Sequence, residues 1–274
     1  MSTHIRALLM GELEALRHEP LQKRIRAALG DETVVDSTRA LVVFEPKRVV
    51  PQYAVPETDI AADVVADGGG GVALADADAP QLAGRTVYDP SVPFAVHTAE
   101  GEPVTVRARG SDREAPGFHP ADPDLAGYVI LDFDGFDAWF EEDERNLAHP
   151  RDPFHRVDIV HSSRRVRIER DGEVLAESSR PYLLFESMLP VRYYLPREDV
   201  RAQLTPSDRR SFCAYKGEAS YWSAGGLGDI AWSYPAPLRE AAEITDRVAF
   251  FDEHVDVIVD GVAAERPVTP WSRR

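Results

Sequence analysis

The spacing of apolar residues changes twice along this chain. Ile5, Leu8, Leu9, Leu13 and Leu16 recur three and four apart, which predicts an amphipathic helix over residues 3–18. From Lys23 the pattern shortens to brief β-prone runs broken by turn residues. Val166–Glu169 and Glu173–Ala176 flank Asp171-Gly172, a pair suited to a tight hairpin because both turn positions need positive φ. Gly30-Asp31 is the matching turn earlier in the chain. Val248–Phe251 and Val255–Val259 read as a further hairpin that ends at the Asp260-Gly261 turn, and Pro237–Ile244 as a short helix.

These patterns repeat. Residues 23–45 align without a gap to residues 164–186 at an offset of 141. Identities fall at Arg24/Arg165, Arg26/Arg167, Glu32/Glu173, Ser37/Ser178, Arg39/Arg180, Phe44/Phe185 and Glu45/Glu186. Average residue usage would give roughly one or two. After a one-residue gap, Tyr53–Ile60 corresponds to Tyr193–Val200, where Pro56 and Pro196 precede acidic residues that suit a helical first turn. At an offset of 119, Leu125, Val129, Phe136 and Asp137 match Ile244, Val248, Val255 and Asp256, with Asp132 set against Asp252 one residue further on. A repeat this long implies a duplicated domain, since solenoid units run to about 20–50 residues. The expected organisation is an N-terminal helix (1–20), a first copy (21–146), a linker (147–162), a second copy (163–262) and a tail (263–274). The middle of the first copy (61–123), with Gly68–Gly71, reads as a flexible loop. With 21 prolines and 18 glycines, the expected fold is mainly β with short helices (α+β): two tandem small domains.

A net charge of −16 argues against nucleic-acid or anionic-membrane partners, which such a surface would repel. Cys213 is the single cysteine, so neither an intrachain disulfide nor a multi-thiolate zinc site is available. The N-terminus lacks the basic-then-apolar pattern of a secretory signal, and no apolar run reaches membrane-spanning length, so a cytoplasmic protein is expected.

The densest chemistry lies in Cys213-Ala-Tyr215-Lys216-Gly217-Glu-Ala-Ser-Tyr221-Trp222. Read as a strand, this run puts Cys213, Tyr215 and Gly217 on one face, although Gly217 also permits a turn. Lys216 beside aromatics is a candidate nucleophile or proton carrier, and equally a snorkelling surface lysine. Cys213 reads first as a small core residue. Arg180 and Glu186, on one face of a strand but about 20 Å apart, suggest an anion clamp and a general base, against the plainer reading of two separate ion pairs. Tyr193, Tyr194, Tyr215, Tyr221, Trp222, Trp232 and Tyr234 are concentrated enough to form a core, or to line a pocket. His149, His155 and His161 are evenly spaced, but no metal pattern uses that spacing. Gly225-Gly226-Leu227-Gly228 is too short for a dinucleotide fingerprint and reads as a loop.

Ser179-Arg180-Pro-Tyr-Leu-Leu-Phe-Glu186, Tyr193-Tyr194-Leu-Pro196-x-Glu198-Asp199-Val200, the Cys213–Trp222 run, Asp229-x-Ala-Trp232-x-Tyr234 and Val248-Ala-Phe250 occur in that order. Together they resemble the domain of unknown function 427 family over nearly all of residues 163–262. The first copy resembles it over 23–60 and 124–143 and lacks the Cys-x-Tyr-Lys-Gly element. The resemblance implies a mostly β, small barrel-like or β-tent-like domain, with zinc absent because tent folds bind it through paired Cys-x-x-Cys. The family's nucleotidyltransferase label implies magnesium held by paired carboxylates after a Gly-Ser turn, and no such arrangement stands in this sequence.

These readings place a small-molecule site in the second copy. Lys216 and Glu186 are its candidate catalytic residues, with Arg180, Tyr194, Cys213, Tyr215, Tyr221 and Trp222 around the ligand. No metal or cofactor is expected, and the ligand is expected to be a small molecule, with Arg180 the residue that would hold an anionic group on it. The alternative is a non-catalytic structural or interaction module.

Overall fold

The computed structural model describes all residues except 1, 3, 68–78, 83, 225 and 274. The Gly68–Gly71 loop and the start of the Gly225–Gly228 loop therefore lie outside the described residues. The chain is mainly β, and among the described residues the strand ladders of its larger sheets are all antiparallel. It divides into two units, the first holding residues 1–80 and 85–152, the second 81–84 and 153–274.

In the first unit, the predicted helix covers only Ile5–Gly11. Ile5 and Leu8 are exposed, while Leu13 is buried in the turn that follows. Arg17–Pro20 is a strand paired with Leu41–Phe44, so tertiary pairing overrides the helical spacing at Leu16. The main sheet runs Arg17–Pro20, Leu41–Phe44, Gln52–Pro56, Tyr128–Leu131, Glu114–Pro120, Gly101–Arg107, Asp63–Ala66. The segment read as a flexible loop thus supplies three of its seven strands. A second sheet holds the Ile25–Leu29/Glu32–Ser37 hairpin with Ala138–Glu141 and Glu144–Asn146. The two sheets share a core of Ile25, Val34, Val35, Val42, Val55, Leu131 and Trp139.

In the second unit, Val157–His161 is a strand, not linker, and pairs with Tyr182–Glu186, which pairs with Arg192–Tyr194. Leu195 continues that strand and bridges to Val248. The next sheet runs Val248–Phe250, Leu227–Ser233, Gly217–Ala224, Thr205–Cys213. A third contains the Val166–Arg170/Glu173–Ser178 hairpin, whose turn residues Asp171 and Gly172 both take positive φ, with Asp256–Val259 and Val262–Ala263. Val248–Phe250 and Asp256–Val259 are therefore no hairpin: the chain crosses between them from one sheet to another. The Asp260-Gly261 turn follows the second of these strands, as expected, and joins Asp256–Val259 to Val262–Ala263. Pro56 and Pro196 each open a single 3-10 turn, and Arg239–Ile244 is also 3-10. Among the described residues, none of these sheets closes on itself.

The second unit has two cores. One is aliphatic, built on Val166, Ile168, Leu175, Leu195, Val248 and Val257. The other is aromatic, built on Tyr194, Tyr221, Trp232, Tyr234 and Phe251. Alternation along Gly217–Ala224 sends Tyr221 to the aromatic core and its neighbour Trp222 to the aliphatic one.

Candidate functional site

Cys213 and Gly217 face each other as the closing pair of a hairpin, so Ala214, Tyr215 and Lys216 form its loop, not part of a strand. The sequence permits this because Gly217 takes φ +90°, a conformation costly to any residue with a Cβ. The Leu238 amide donates to the Lys216 carbonyl at 3.1 Å and pins the loop. Held this way, the Lys216 ammonium donates to Glu186 Oε2 at 2.5 Å, with the two side chains 9% and 8% exposed. The other carboxylate oxygen, Oε1, lies 3.1 Å from His155 Nε2. The His155 ring stacks on Tyr215, centroids 4.3 Å apart. Glu186 is thus clamped at the end of its strand by a lysine from a hairpin loop and a histidine that precedes a neighbouring strand.

Burial opposes ionisation of Glu186, but Lys216 and His155 outweigh it and hold the carboxyl at about 2. Burial likewise opposes the Lys216 charge, and the acidic groups Cys213, Glu186 and Tyr194 more than offset it, so its pKa is raised. An ammonium held this way is no nucleophile, and a carboxylate with both oxygens engaged is a poor base. His155, 19% exposed at its side chain, is the most accessible of the three. A carboxylate that fixes an imidazole ring in orientation is a common arrangement for proton transfer, with the ring as the working group.

Tyr194 is fully buried behind this cluster. Its hydroxyl accepts from Trp232 Nε1 at 3.0 Å, and its pKa is raised chiefly by burial. Cys213 is half-buried and acts electrostatically on Lys216 and Tyr234. Tyr221 shares its hydroxyl with Ser211 at 2.7 Å, beneath the Arg209 guanidinium. Lys216, Glu186, Tyr194, Cys213 and Tyr215 therefore gather in one region, and Tyr221 belongs to the adjoining aromatic core.

Two predicted ligand residues stand elsewhere. Arg180 is exposed and engaged with Glu198 (2.8 Å) and Asp199 (3.3 Å), where Ser178 also donates to Asp199 at 2.6 Å. The strand between Arg180 and Glu186 keeps them apart, and the arginine closes the 3-10 turn instead of meeting an anion. Trp222 donates to Ser233 at 3.0 Å and lies under Arg197, on the opposite face of its strand from Tyr221. His155 was missed by sequence reasoning because Pro150 and Pro153 made its surroundings read as linker. The available signal was the apolar Val157 and Ile159, two apart, which mark the strand that positions it.

The first unit has a buried carboxylate of its own. Glu45 is fully buried, 3.6 Å from Arg48 Nε and 3.1 Å from His97 Nδ1. His97 Nε2 in turn lies 3.2 Å from Asp132. Burial works against the imidazolium, but Asp132 and Glu45 prevail and raise His97 to about 9.

Residues 158–261 match the family model described as Domain of unknown function (DUF427). The match covers most of the second unit and none of the first. A search of curated proteins finds no match. Among the described residues, no group of three or more His, Cys, Asp or Glu side chains is placed to hold a metal ion. No helix among them is long and apolar enough to cross a membrane.

Proposed function

We propose that the second unit binds a small anionic or polar molecule at the His155–Tyr215 edge of the Glu186 cluster, with His155 exchanging a proton with it. The carrying observation is the clamp itself, in which Glu186 orients an accessible imidazole while Lys216 fixes the carboxylate. Once His155 is protonated, two cations share one carboxylate, so an incoming anion meets net positive charge. A thermal-shift screen of the full chain with carboxylates, sugar phosphates, and nucleotides with and without magnesium tests this. A compound that stabilises wild type but not His155→Gln is the expected result. Equal stabilisation of both, or none by any compound, would sink the reading. Stabilisation only by nucleotide plus magnesium would favour nucleotidyl transfer.

A second, non-catalytic reading has its own observation in its favour. Glu45 is clamped by an arginine and a histidine, more completely buried than Glu186, so a paired internal carboxylate can serve the fold alone.

The two units also read as copies of one domain. What supports this is register. Ile25↔Ser37, Arg26↔Asp36, Ala27↔Val35 and Ala28↔Thr33 recur as Val166↔Ser178, Arg167↔Glu177, Ile168↔Ala176 and Glu169↔Val174, with a bulge at the same step. Arg17↔Phe44 likewise recurs as Asp158↔Phe185. On this reading each copy begins one strand earlier than the sequence repeat. Ala138, opposite Ala28, takes the place of Asp256, opposite Glu169, which moves the Asp137/Asp256 match by one residue.

A further inference from the structure

A second cluster of buried charge in the second unit has no part in the proposal above. Arg192 and Glu253 form a two-pronged pair at 2.6 and 3.0 Å, and Thr269 donates to the same carboxylate at 2.5 Å. Asp252, next in sequence to Glu253, is nearly as buried, with its side chain 9% exposed. Its nearest cation is that same Arg192, at 3.6 Å and already committed to Glu253. Asp252 is therefore an under-compensated carboxylate. It lines a cleft of about 200 Å³ whose walls include Pro190, Val191, Val255 and Val257, with Tyr193 beside it.

The charges around this cleft decide what would enter it. Arg266 lines it, but its guanidinium is bonded to Asp256 at 2.8 Å. Glu265 adds a second carboxylate at the rim. Tyr193 is influenced by both Asp252 and Arg164, and Arg164 is itself bonded to Asp260 at 2.7 Å. The arginines near the cleft are thus engaged by other acids, while Asp252 has only a share of Arg192 and Glu265 has no charged partner among the described residues. The walls are apolar, and the volume falls below the roughly 300 Å³ at which drug-sized sites begin.

We propose that this cleft binds a small organic ammonium ion with a short apolar tail, its charge against Asp252 and its tail along Val255 and Val257. An ammonium supplies the counter-charge that Arg192 withholds, and the strongly acidic chain attracts cations towards it. Burial pushes the Asp252 carboxyl up to about 7, against the opposing pull of Arg192 and with the support of Glu253. Binding therefore strengthens as pH rises through neutrality, when the carboxylate forms.

The test uses n-butylammonium on the full chain at pH 8 and pH 5.5, with n-butanol as the neutral isostere and butyrate as the anion. Binding is followed by protein NMR shifts in Tyr193 and Val257. The expected result is saturable binding of n-butylammonium at pH 8, at least tenfold weaker at pH 5.5, and no comparable binding of the other two. Asp252→Asn should abolish the preference for the cation. Ala264→Phe, at an exposed cleft residue whose amide donates to the Val257 carbonyl, fills the cleft without altering Asp252; it should block the cation and serves if Asp252→Asn does not fold. Equal binding of butanol and butylammonium, cation binding that survives either variant, or no saturable shift at pH 8 overturns the proposal.

Discussion

Removing Lys216 should leave Glu186 as a buried, half-compensated charge, and the cost can be estimated in two ways. The gap between the Glu186 value of about 2 and the ordinary 4.5 corresponds to roughly 3 kcal/mol of stability, at about 1.4 kcal/mol per pH unit. Breaking a buried ion pair from one side costs about 3–5 kcal/mol. Lys216→Met, close in size and without charge, should therefore destabilise the second unit by about 3 kcal/mol at pH 7. Lys216→Met/Glu186→Gln should recover much of that, because no charge is left stranded. The pH dependence has a fixed sign. A depressed carboxyl contributes stability above its unfolded value near 4.5 and loses it as pH falls towards 2, so wild type should weaken across that window. The double variant should lack this component. Urea unfolding followed by tryptophan fluorescence is the assay: Trp222, Trp232 and Trp271 report the second unit and Trp139 the first. A Lys216→Met protein within about 1 kcal/mol of wild type, or a double variant no better than the single, would refute the reasoning.

His97 should give the first unit the opposite pH signature. Its value is raised to about 9, so its contribution is complete below about 6.5 and disappears as pH rises through 9. Thermal melts across pH 6–10 should show this loss in wild type and not in His97→Gln; parallel curves would count against it. In the Ser178–Arg180–Asp199 turn, Arg180→Ala should leave stability nearly unchanged, because its ion pair is exposed and screened by solvent. Ser178→Ala should cost about 1–2 kcal/mol, because the buried hydroxyl bonds both Asp199 and the Arg180 amide. Chemical denaturation that ranks the two the other way would contradict that assignment.

Much of the frame was legible because turn chemistry is local. Asp171-Gly172 and Asp260-Gly261 marked their turns, and Pro56 and Pro196 marked the 3-10 turns, through conformations set by neighbours in sequence. The strands Gly101–Arg107 and Glu114–Pro120 were hidden because Pro103, Pro116 and Gly117 carry loop signals inside paired segments. Their pairing is decided by partners far along the chain. Lys216 and Glu186 were picked out separately by residue type, and the structure brings them into contact. The clamp itself was not legible, since His155 reaches Glu186 across 31 residues of sequence. The partners of Arg180 were hidden for a related reason: Glu198 and Asp199, the acids that occupy it, lie two strands further on.

The strand Val157–His161 also bears on where this chain can be cut. A fragment started at residue 163, where the recognisable motifs begin, would lose that strand and His155 with it. The outer edge of Tyr182–Glu186 would then stand bare, its amides and carbonyls free to recruit a strand from another molecule. Such a fragment should be prone to clump, and any inactivity measured on it would say nothing of the intact protein. Starting upstream of Pro153 keeps the edge covered and the imidazole beside its carboxylate.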